Sequence, residues 1–368
     1  MRTSRINNLL AVALPVLAFG CLPDAKVKIA YNDVPGPRDD WPTSAPEAQG
    51  FDPSGLRTAY QRFFSEDEFA PAISLLVARY GVLVAEGYCR DLADIDRVNA
   101  LQSATKSVTS MLFGIAKAQG IVDDLNRPFV AHLPAAYATG GDMAEVTLRH
   151  LLTMRSGIDF LNGDFTMEMA YHSGSDSLAH IMAKPVVTPP GQVFLYKDAD
   201  PTVAADVLQK RAGNTLAAFA DANLFGPLGI TNYVWTAAPD GLGYGAFGLY
   251  LRPRDLLKLG QVMLDGGRWH GQQLIPADWV AESTSAQVTP PDSYQPASMH
   301  FDYGYYWWLI PDRGSYTADG HGGQYAYVVP SKDLVIVFTA EPDTSDKERT
   351  GRLEYFTGLA DMIVAAAN

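Results

Sequence analysis

The sequence predicts an α/β (α+β) fold: an antiparallel sheet built from both chain ends and flanked by helices, with an inserted, mostly helical domain between them. Three observations carry this reading. β-rich runs stand near the start, at Ile73 to Ala78 and Val82 to Tyr88, and return near the end at Tyr303 to Ile310, Tyr325 to Val329 and Leu334 to Thr339. The intervening stretch, 123–298, shows helical patterning broken by long Gly/Pro loops. The 368-residue length exceeds what one small core serves, which fits either one large domain or two intimately packed ones. The expected partition is a signal peptide over 1–20, a tether over 21–50, a sheet domain from 51–122 and 299–368, and the insert over 123–298. A cleft is expected where sheet and insert meet, since pockets favour such junctions.

Taken in order, the first element is a targeting segment. Arg2 and Arg5 give a positive start, and Leu9 to Gly20 follow as an uncharged, mostly apolar run. A run of about a dozen residues suits a signal-peptide core and falls short of the roughly 20 that span a bilayer. It ends in Leu17-Ala18-Phe19-Gly20-Cys21, which resembles a bacterial lipoprotein box with Cys21 as the acylated residue, although Phe19 fits imperfectly. Acylation would tether an exported protein in the cell envelope or periplasm; plain secretion with Cys21 incidental stays open. Leu22 to Gly50, with five prolines, reads as tether and lead-in.

Asp52-Pro53 starts a helix, with Asp as N-cap and Pro in the first position, and Leu56, Tyr60 and Phe63 mark its apolar face. The two following β-runs are joined through Tyr80-Gly81, a hairpin signal. Ser103 to Gly120 is an apolar helix on Val108, Leu112, Ile115 and Ala116. Helices are expected at Thr147 to Thr153, Thr202 to Arg211, Thr215 to Leu224 and Pro253 to Asp265. Pro330-Ser331-Lys332-Asp333 reads as a turn between the last two strands, and Arg352 to Ala366 as a closing helix. Tyr303, Tyr305, Tyr306, Trp307 and Trp308 are placed on one strand by alternation, as core and edge packing with one face available to wall a pocket.

Composition limits the partners. Twenty-eight Lys+Arg against 41 Asp+Glu leave a formal charge of −13, which repels nucleic acid and anionic head groups. With Cys21 acylated, Cys89 has no intramolecular partner, so no disulfide framework is expected.

Ser103-Ala104-Thr105-Lys106 carries the first chemical signal. Positions three apart on a helix share a face, so hydroxyl and amine can meet. The helix N-terminus favours developing negative charge and helps depress the amine's pKa, so that a desolvated lysine can take the serine proton. Chance alone supplies roughly half such a pair in a chain of this composition, and a solvated Ser and Lys on a helix surface would look the same. Context carries more weight: this is the only such spacing in the chain, and it follows two strands at the start of an apolar helix.

That placement resembles the serine β-lactamase and penicillin-binding protein superfamily, in its class C and esterase-like branch. Further stretches fit from about Trp41 to the C-terminus: Thr147-Leu148-Arg149-His150-Leu151-Leu152-Thr153-Met154-Arg155-Ser156-Gly157, Pro227-Leu228-Gly229-Ile230, and Arg254-Asp255-Leu256-Leu257-Lys258-Leu259-Gly260. The resemblance implies a β-lactamase/transpeptidase-like fold with Ser103 as nucleophile and Lys106 as base. The branch's Tyr-x-Asn motif matches Tyr196-Lys197-Asp198, so Tyr196 is the implied acid–base partner. Asp198 departs from the family's Asn; a carboxylate there would keep Lys106 charged and repel anionic substrates. Tyr196-Lys197 with Asp200 is also similar to aminohexanoate-oligomer hydrolases. A packed loop aromatic is the other reading of Tyr196; Lys197 reads as a solvated neighbour, and Asp198 and Asp200 as possible loop caps.

Where β-lactamases carry Lys-Thr-Gly, this chain has His321-Gly322-Gly323-Gln324. Glycines there let a substrate backbone approach the strand edge. By analogy the N–H groups of Ser103 and Gln324 form the oxyanion hole. Imidazole anchors a carboxylate less well than an ammonium, which turns the expectation from β-lactams toward esters or amides; His321 also reads simply as a turn histidine. There is no Gly-x-Ser-x-Gly and no His-Glu-x-x-His, so an α/β-hydrolase or zinc enzyme loses its main support.

The expectation is therefore a serine hydrolase working through an acyl-enzyme on small esters or amides, with no metal or organic cofactor implied and the oligomeric state left open. β-Lactamase or D-amino-acid peptidase activity on the same site is the alternative within the family. A sensor that captures an acyl group without turnover, or a cell-envelope scaffold, is the alternative outside catalysis.

Overall fold

The computed structural model describes residues 41–65, 69, 72–89, 92–137, 140–160, 176–241, 243–296, 299–342 and 349–368, the last with side chains from 356 onward. The signal-peptide and Cys21 assignments lie outside these residues.

Among the described residues the first α-helix is α1 (Pro53–Ser65), whose start follows from its cap: the backbone N–H groups of Ser54 and Gly55 donate to the Asp52 carboxylate at 3.0 and 3.2 Å. Leu56, Tyr60 and Phe63 are all buried, as their helical spacing requires. The hairpin β1 (Ala72–Arg79) and β2 (Val82–Tyr88) turns at Tyr80 and Gly81, both with positive φ, which matches the twist of a two-residue hairpin loop.

Three short pairs lie in the middle of the chain: β3 (Asn99–Ala100) with β5 (Leu249–Leu251), β5 with β4 (Tyr233–Trp235), and β6 (Arg268–Trp269) with β7 (Gln272–Gln273). The C-terminal part supplies β8 (Asp302–Tyr303), β9 (Trp308–Ile310), β10 (Ser315–Gly320), β11 (Gln324–Val329) and β12 (Leu334–Ala340). The main sheet runs β2-β1-β12-β11-β10-β9-β8. β1 pairs antiparallel with β12, Leu75 opposite Phe338 and Val77 opposite Ile336, so the two chain ends close one sheet as the strand pattern predicts.

Helices cover both faces. α1 and the closing helix Arg349–Ala366 pack together, and the Asp52 N–H donates to the Ala366 carbonyl at 2.8 Å. On the other face, the helix Pro253–Leu264 packs on β11, β12 and β1, and a buried ion pair from Arg254 to Glu86 of β2, 2.9 Å at Nε, ties it to the sheet edge. The helices Leu148–Leu152, Ser177–Met182, Ala199–Ala212 and Leu216–Ala220 form the helical insertion. Among the described residues no helix is long and apolar enough to cross a membrane, and Cys89 is not disulfide-bonded.

Two local expectations need correction, and one strand, β10, was not anticipated. Tyr303 to Ile310 is not one strand: the chain bends between β8 and β9, with Tyr306 at φ 62° and the Gly304 N–H bonded to the Trp307 carbonyl at 2.9 Å. Its five aromatics are nevertheless all buried, as packing residues should be. β10 carries no apolar alternation in Ser315-Tyr-Thr-Ala-Asp-Gly320, yet it is a fully buried strand between two others. The helix expected from Thr202 begins at Ala199, directly after Asp198.

Candidate active site

Ser103 lies in a single 3-10 turn, Gln102–Ala104, that runs into the helix α2 (Thr105–Ala118). The serine thus sits just ahead of the α-helix, after Gln102, whose φ of 49° turns the chain sharply. β10 and β11 pack on this turn. The approach is close: a Cβ on Gly320 would stand 2.1 Å from the Leu101 carbonyl oxygen, so the end of β10 requires glycine there.

Lys106 is one turn into the site and 1% exposed. Its Nζ donates to Ser103 Oγ at 2.8 Å and to the Ala246 carbonyl at 3.0 Å, and pairs with Asp198 Oδ1 at 2.7 Å. Together with the Tyr196 hydroxyl, these groups surround the ammonium's three N–H bonds with oxygen acceptors. Burial alone would lower the amine's pKa, but the Asp198 carboxylate and the Tyr196 hydroxyl, both hydrogen-bonded to it, together outweigh burial and raise it. The direction is the one expected of a carboxylate at position 198, and opposite to the one expected from the helix N-terminus and desolvation.

Asp198 occupies the N-cap position of the helix Ala199–Ala212 without making a side-chain cap, which leaves its carboxylate for Lys106. Tyr196 is buried, stacks on Trp308 with ring centroids 5.7 Å apart, and presents its ring to Lys106 Nζ at 4.9 Å. Its backbone N–H donates to the Tyr294 hydroxyl at 3.3 Å. The loop therefore gathers Tyr196 and Asp198 around one ammonium, and the packed-aromatic reading of Tyr196 holds together with its place beside Lys106.

Lys197 is not a solvated neighbour. It points the other way, is 1% exposed, donates to the Ile158 carbonyl at 2.8 Å and lies 3.5 Å from Asp200. Asp200, fully buried, accepts from Ser156 Oγ at 2.6 Å; burial pushes its carboxyl up against the pull of Lys197 and Ser156. Asp200 is thus the partner of a buried charge, not a loop cap.

His321, Gly322 and Gly323 form the turn between β10 and β11, with Gly322 at φ 81° and Gly323 at φ 100°, angles that favour glycine. Gln324 opens β11. Its side chain is buried and clamps the end of β12, Nε2 donating to the Ala340 carbonyl at 2.5 Å, so only its backbone can face a substrate.

Residue-type reasoning missed the Ala246 carbonyl, Tyr294 and the pairing of Lys197 with Asp200 and Ser156; Trp308, expected as packing with one face free to wall a pocket, is the ring on which Tyr196 stacks. Ala246 follows Gly245, whose carbonyl accepts from Thr109 Oγ1 at 2.8 Å, so this segment is laced along α2 by backbone groups that leave no residue signature.

Comparison with known proteins finds relatives of this chain and of its fold. A family profile described as Beta-lactamase matches residues 61–355. The 6-aminohexanoate-dimer hydrolase of Paenarthrobacter ureafaciens is 25% identical over 294 residues, 74% of each chain. Among solved structures, a penicillin-binding protein homologue from Caulobacter crescentus superposes with a TM-score of 0.67 at 15% identity, covering 88% of this chain and 99% of its own. A family VIII carboxylesterase superposes with a TM-score of 0.65 at 17% identity, covering 86% and 98%.

Proposed function

Because the chain belongs to the beta-lactamase family, whose chemistry is that of a serine acyl-enzyme, we propose that it hydrolyses small esters or amides with Ser103 as nucleophile. The observation that carries this is the 2.8 Å contact between Ser103 Oγ and the buried Lys106 Nζ. Lys106 first gives up one proton, to Asp198 or through Tyr196, and then takes that of Ser103 as Oγ attacks the carbonyl carbon. The N–H groups of Ser103 and Gln324 receive the oxyanion. The leaving alkoxide or amine collects the proton from Lys106 or Tyr196, and water releases the acyl group by the reverse sequence.

Asp198 favours uncharged or cationic acyl groups, since a carboxylate on the substrate would meet a carboxylate in the site. His321 offers no ammonium for a β-lactam's carboxylate, which ranks β-lactams below simple esters and amides. Amides gain support from the curated relative, whose name specifies an aminohexanoate dimer. An export signal ending at Cys21, with acylation there, would hold the enzyme in the cell envelope.

The test is hydrolysis of a short-chain p-nitrophenyl ester by the mature protein beside Ser103→Ala. Turnover that disappears in the variant supports the assignment; turnover that survives removes Ser103 as nucleophile. Because Asp198 holds Lys106 protonated, a stoichiometric burst without turnover would favour an acyl-capturing sensor.

A further inference from the structure

Three hydroxyl residues stand in the first turns of α2, Thr105, Ser107 and Thr109, and all are at most 2% exposed. Threonine and serine rank below alanine and leucine as helix formers, and in mid-helix they commonly turn the hydroxyl back to the carbonyl four residues earlier. These three reach outward instead. Thr105 Oγ1 accepts from the Leu249 N–H at 3.4 Å, Ser107 Oγ donates to the Tyr306 carbonyl at 2.6 Å, and Thr109 Oγ1 donates to the Gly245 carbonyl at 2.8 Å. Thr105 and Thr109 are four apart and share a face, so one side of α2 is fastened at two points to the strip 245–249.

The two ends of that strip are held differently. The Leu249 end has backbone support: its carbonyl accepts from the Leu101 N–H at 2.8 Å, the Gly248 carbonyl accepts from the Thr236 N–H at 2.8 Å, and β5, which begins there, pairs with β3 and β4. At the other end the Gly245 carbonyl meets Thr109, and a Cβ on Gly245 would stand 2.2 Å from the Pro201 carbonyl oxygen and 2.5 Å from Ala205 Cβ. Gly245 is thus pressed onto the first turns of the helix that follows Asp198. The next carbonyl along, that of Ala246, accepts from Lys106 Nζ at 3.0 Å. The carbonyl that Thr109 holds and the carbonyl that holds Lys106 therefore belong to adjacent residues.

We propose that Thr109 is a positioning residue for Lys106: by fixing the Gly245–Ala246 peptide, it engages one N–H of the Lys106 amine with a carbonyl and keeps another aimed at Ser103 Oγ. The inference rests on Lys106 as the base of the proposed reaction, and Thr109, wholly buried, acts only through that peptide. A lysine amine on its flexible four-carbon stem has rotatable donors, so a fixed acceptor is what gives its proton transfer a direction. The charged and titratable groups that face Nζ are Asp198 and Tyr196, and both favour the ammonium. A carbonyl acceptor favours it as well. Loss of the Thr109 hydroxyl leaves the Gly245 carbonyl buried without its donor, so the strip shifts, the aim of the amine is lost and the ammonium is less favoured.

The test is Thr109→Val, which keeps the side-chain shape and removes the donor, assayed on a short-chain p-nitrophenyl ester across pH 5 to 10 beside Thr109→Ser and Lys106→Met. Thr109→Val should lower kcat about tenfold or more with KM unchanged, and move the alkaline limb of activity to lower pH. Thr109→Ser, which restores the hydroxyl, should return both kcat and the limb toward the parent. Should the valine variant not fold, Thr109→Ala removes the same donor without setting a methyl against the Gly245 carbonyl, and the same result is expected. With Lys106→Met inactive, parental kcat in a folded variant lacking the hydroxyl, a limb that stays in place, or a loss that serine does not repair would each overturn the positioning role. Turnover that survives Lys106→Met would instead remove Lys106 as the base, and the positioning role with it.

Discussion

Two Lys–Asp pairs meet at residues 197–200, Lys197 with Asp200 and Asp198 with the distant Lys106, and they do opposite things. Lys197 and Asp200 are both at most 1% exposed, 3.5 Å apart, and completed by Ile158 and Ser156. The cleft pair, Lys106 with Asp198, is tighter at 2.7 Å, yet Asp198 keeps 15% of its side chain open, and the third partner of the ammonium is a serine hydroxyl. A buried pair whose every partner is fixed holds structure. On the proposed reading, a pair that shares its proton donors with Ser103, beside an open edge, is arranged to move a proton. Charge pairing alone therefore does not distinguish the two lysines; the serine hydroxyl beside Lys106 is what singles it out for the proposed role as base.

This contrast breaks first at the catalytic end. Lys106→Met should reduce ester turnover by about 10³-fold or more, from loss of the base, while the melting temperature changes little beyond the loss of one ion pair. Next comes the structural end. Lys197→Met takes from buried Asp200 its only cationic partner among the described contacts, and chemical denaturation should show about 3–5 kcal/mol of lost stability. The KM of whatever fraction remains folded should stay near that of the parent. If Lys197→Met instead leaves stability intact and stops turnover, the two pairs have been assigned the wrong way round.

A smaller effect sharpens the cleft pair. Asp198 raises the Lys106 pKa, and the base works only once the ammonium has lost a proton, so activity should climb on an alkaline limb. Asp198→Asn removes the raising charge and moves that limb to lower pH, so kcat/KM at pH 7 should rise several-fold. A limb that stays in place, measured across pH 5 to 10, would mean that the limb does not report Lys106.

The smallest effect is on stability at a distance. Asp206 is pushed up to about 7 in the fold, while the unfolded chain titrates near 3.8. Between those values the fold retains a proton that the unfolded chain has released, so stability declines as pH rises from about 4 to about 7 and then levels. Asp206→Asn escapes this decline. Its melting temperature should exceed the parent's by a few degrees at pH 8 and by less at pH 4.

The same contrast explains what could be read from the chain. Ser103 and Lys106 were legible because helical spacing brings them together without any knowledge of the rest of the fold. The Tyr80-Gly81 hairpin and the apolar face of α1 were legible for the same reason: both are local. Tyr196 and Asp198 needed the family's motif, since nothing in the chain shows that a loop 90 residues beyond Ser103 returns to it. Lys197 was misread because a lysine beside two aspartates looks solvated until the Ser156 turn and Ile158 close over it. β10 was missed because Asp319-Gly320 reads as a turn and because a strand covered on both faces needs no alternation. The bend at Tyr306 was hidden by aromatics, whose β propensity says nothing about direction.

The measurement that bears most directly on Ser103 as the nucleophile is intact-mass analysis after reaction with an alkyl p-nitrophenyl phosphonate, followed by peptide mapping. The prediction is one phosphonyl group per chain, on Ser103, absent from Ser103→Ala and formed far more slowly in Lys106→Met. A modification on another residue, or labelling that proceeds unchanged without Lys106, would contradict it.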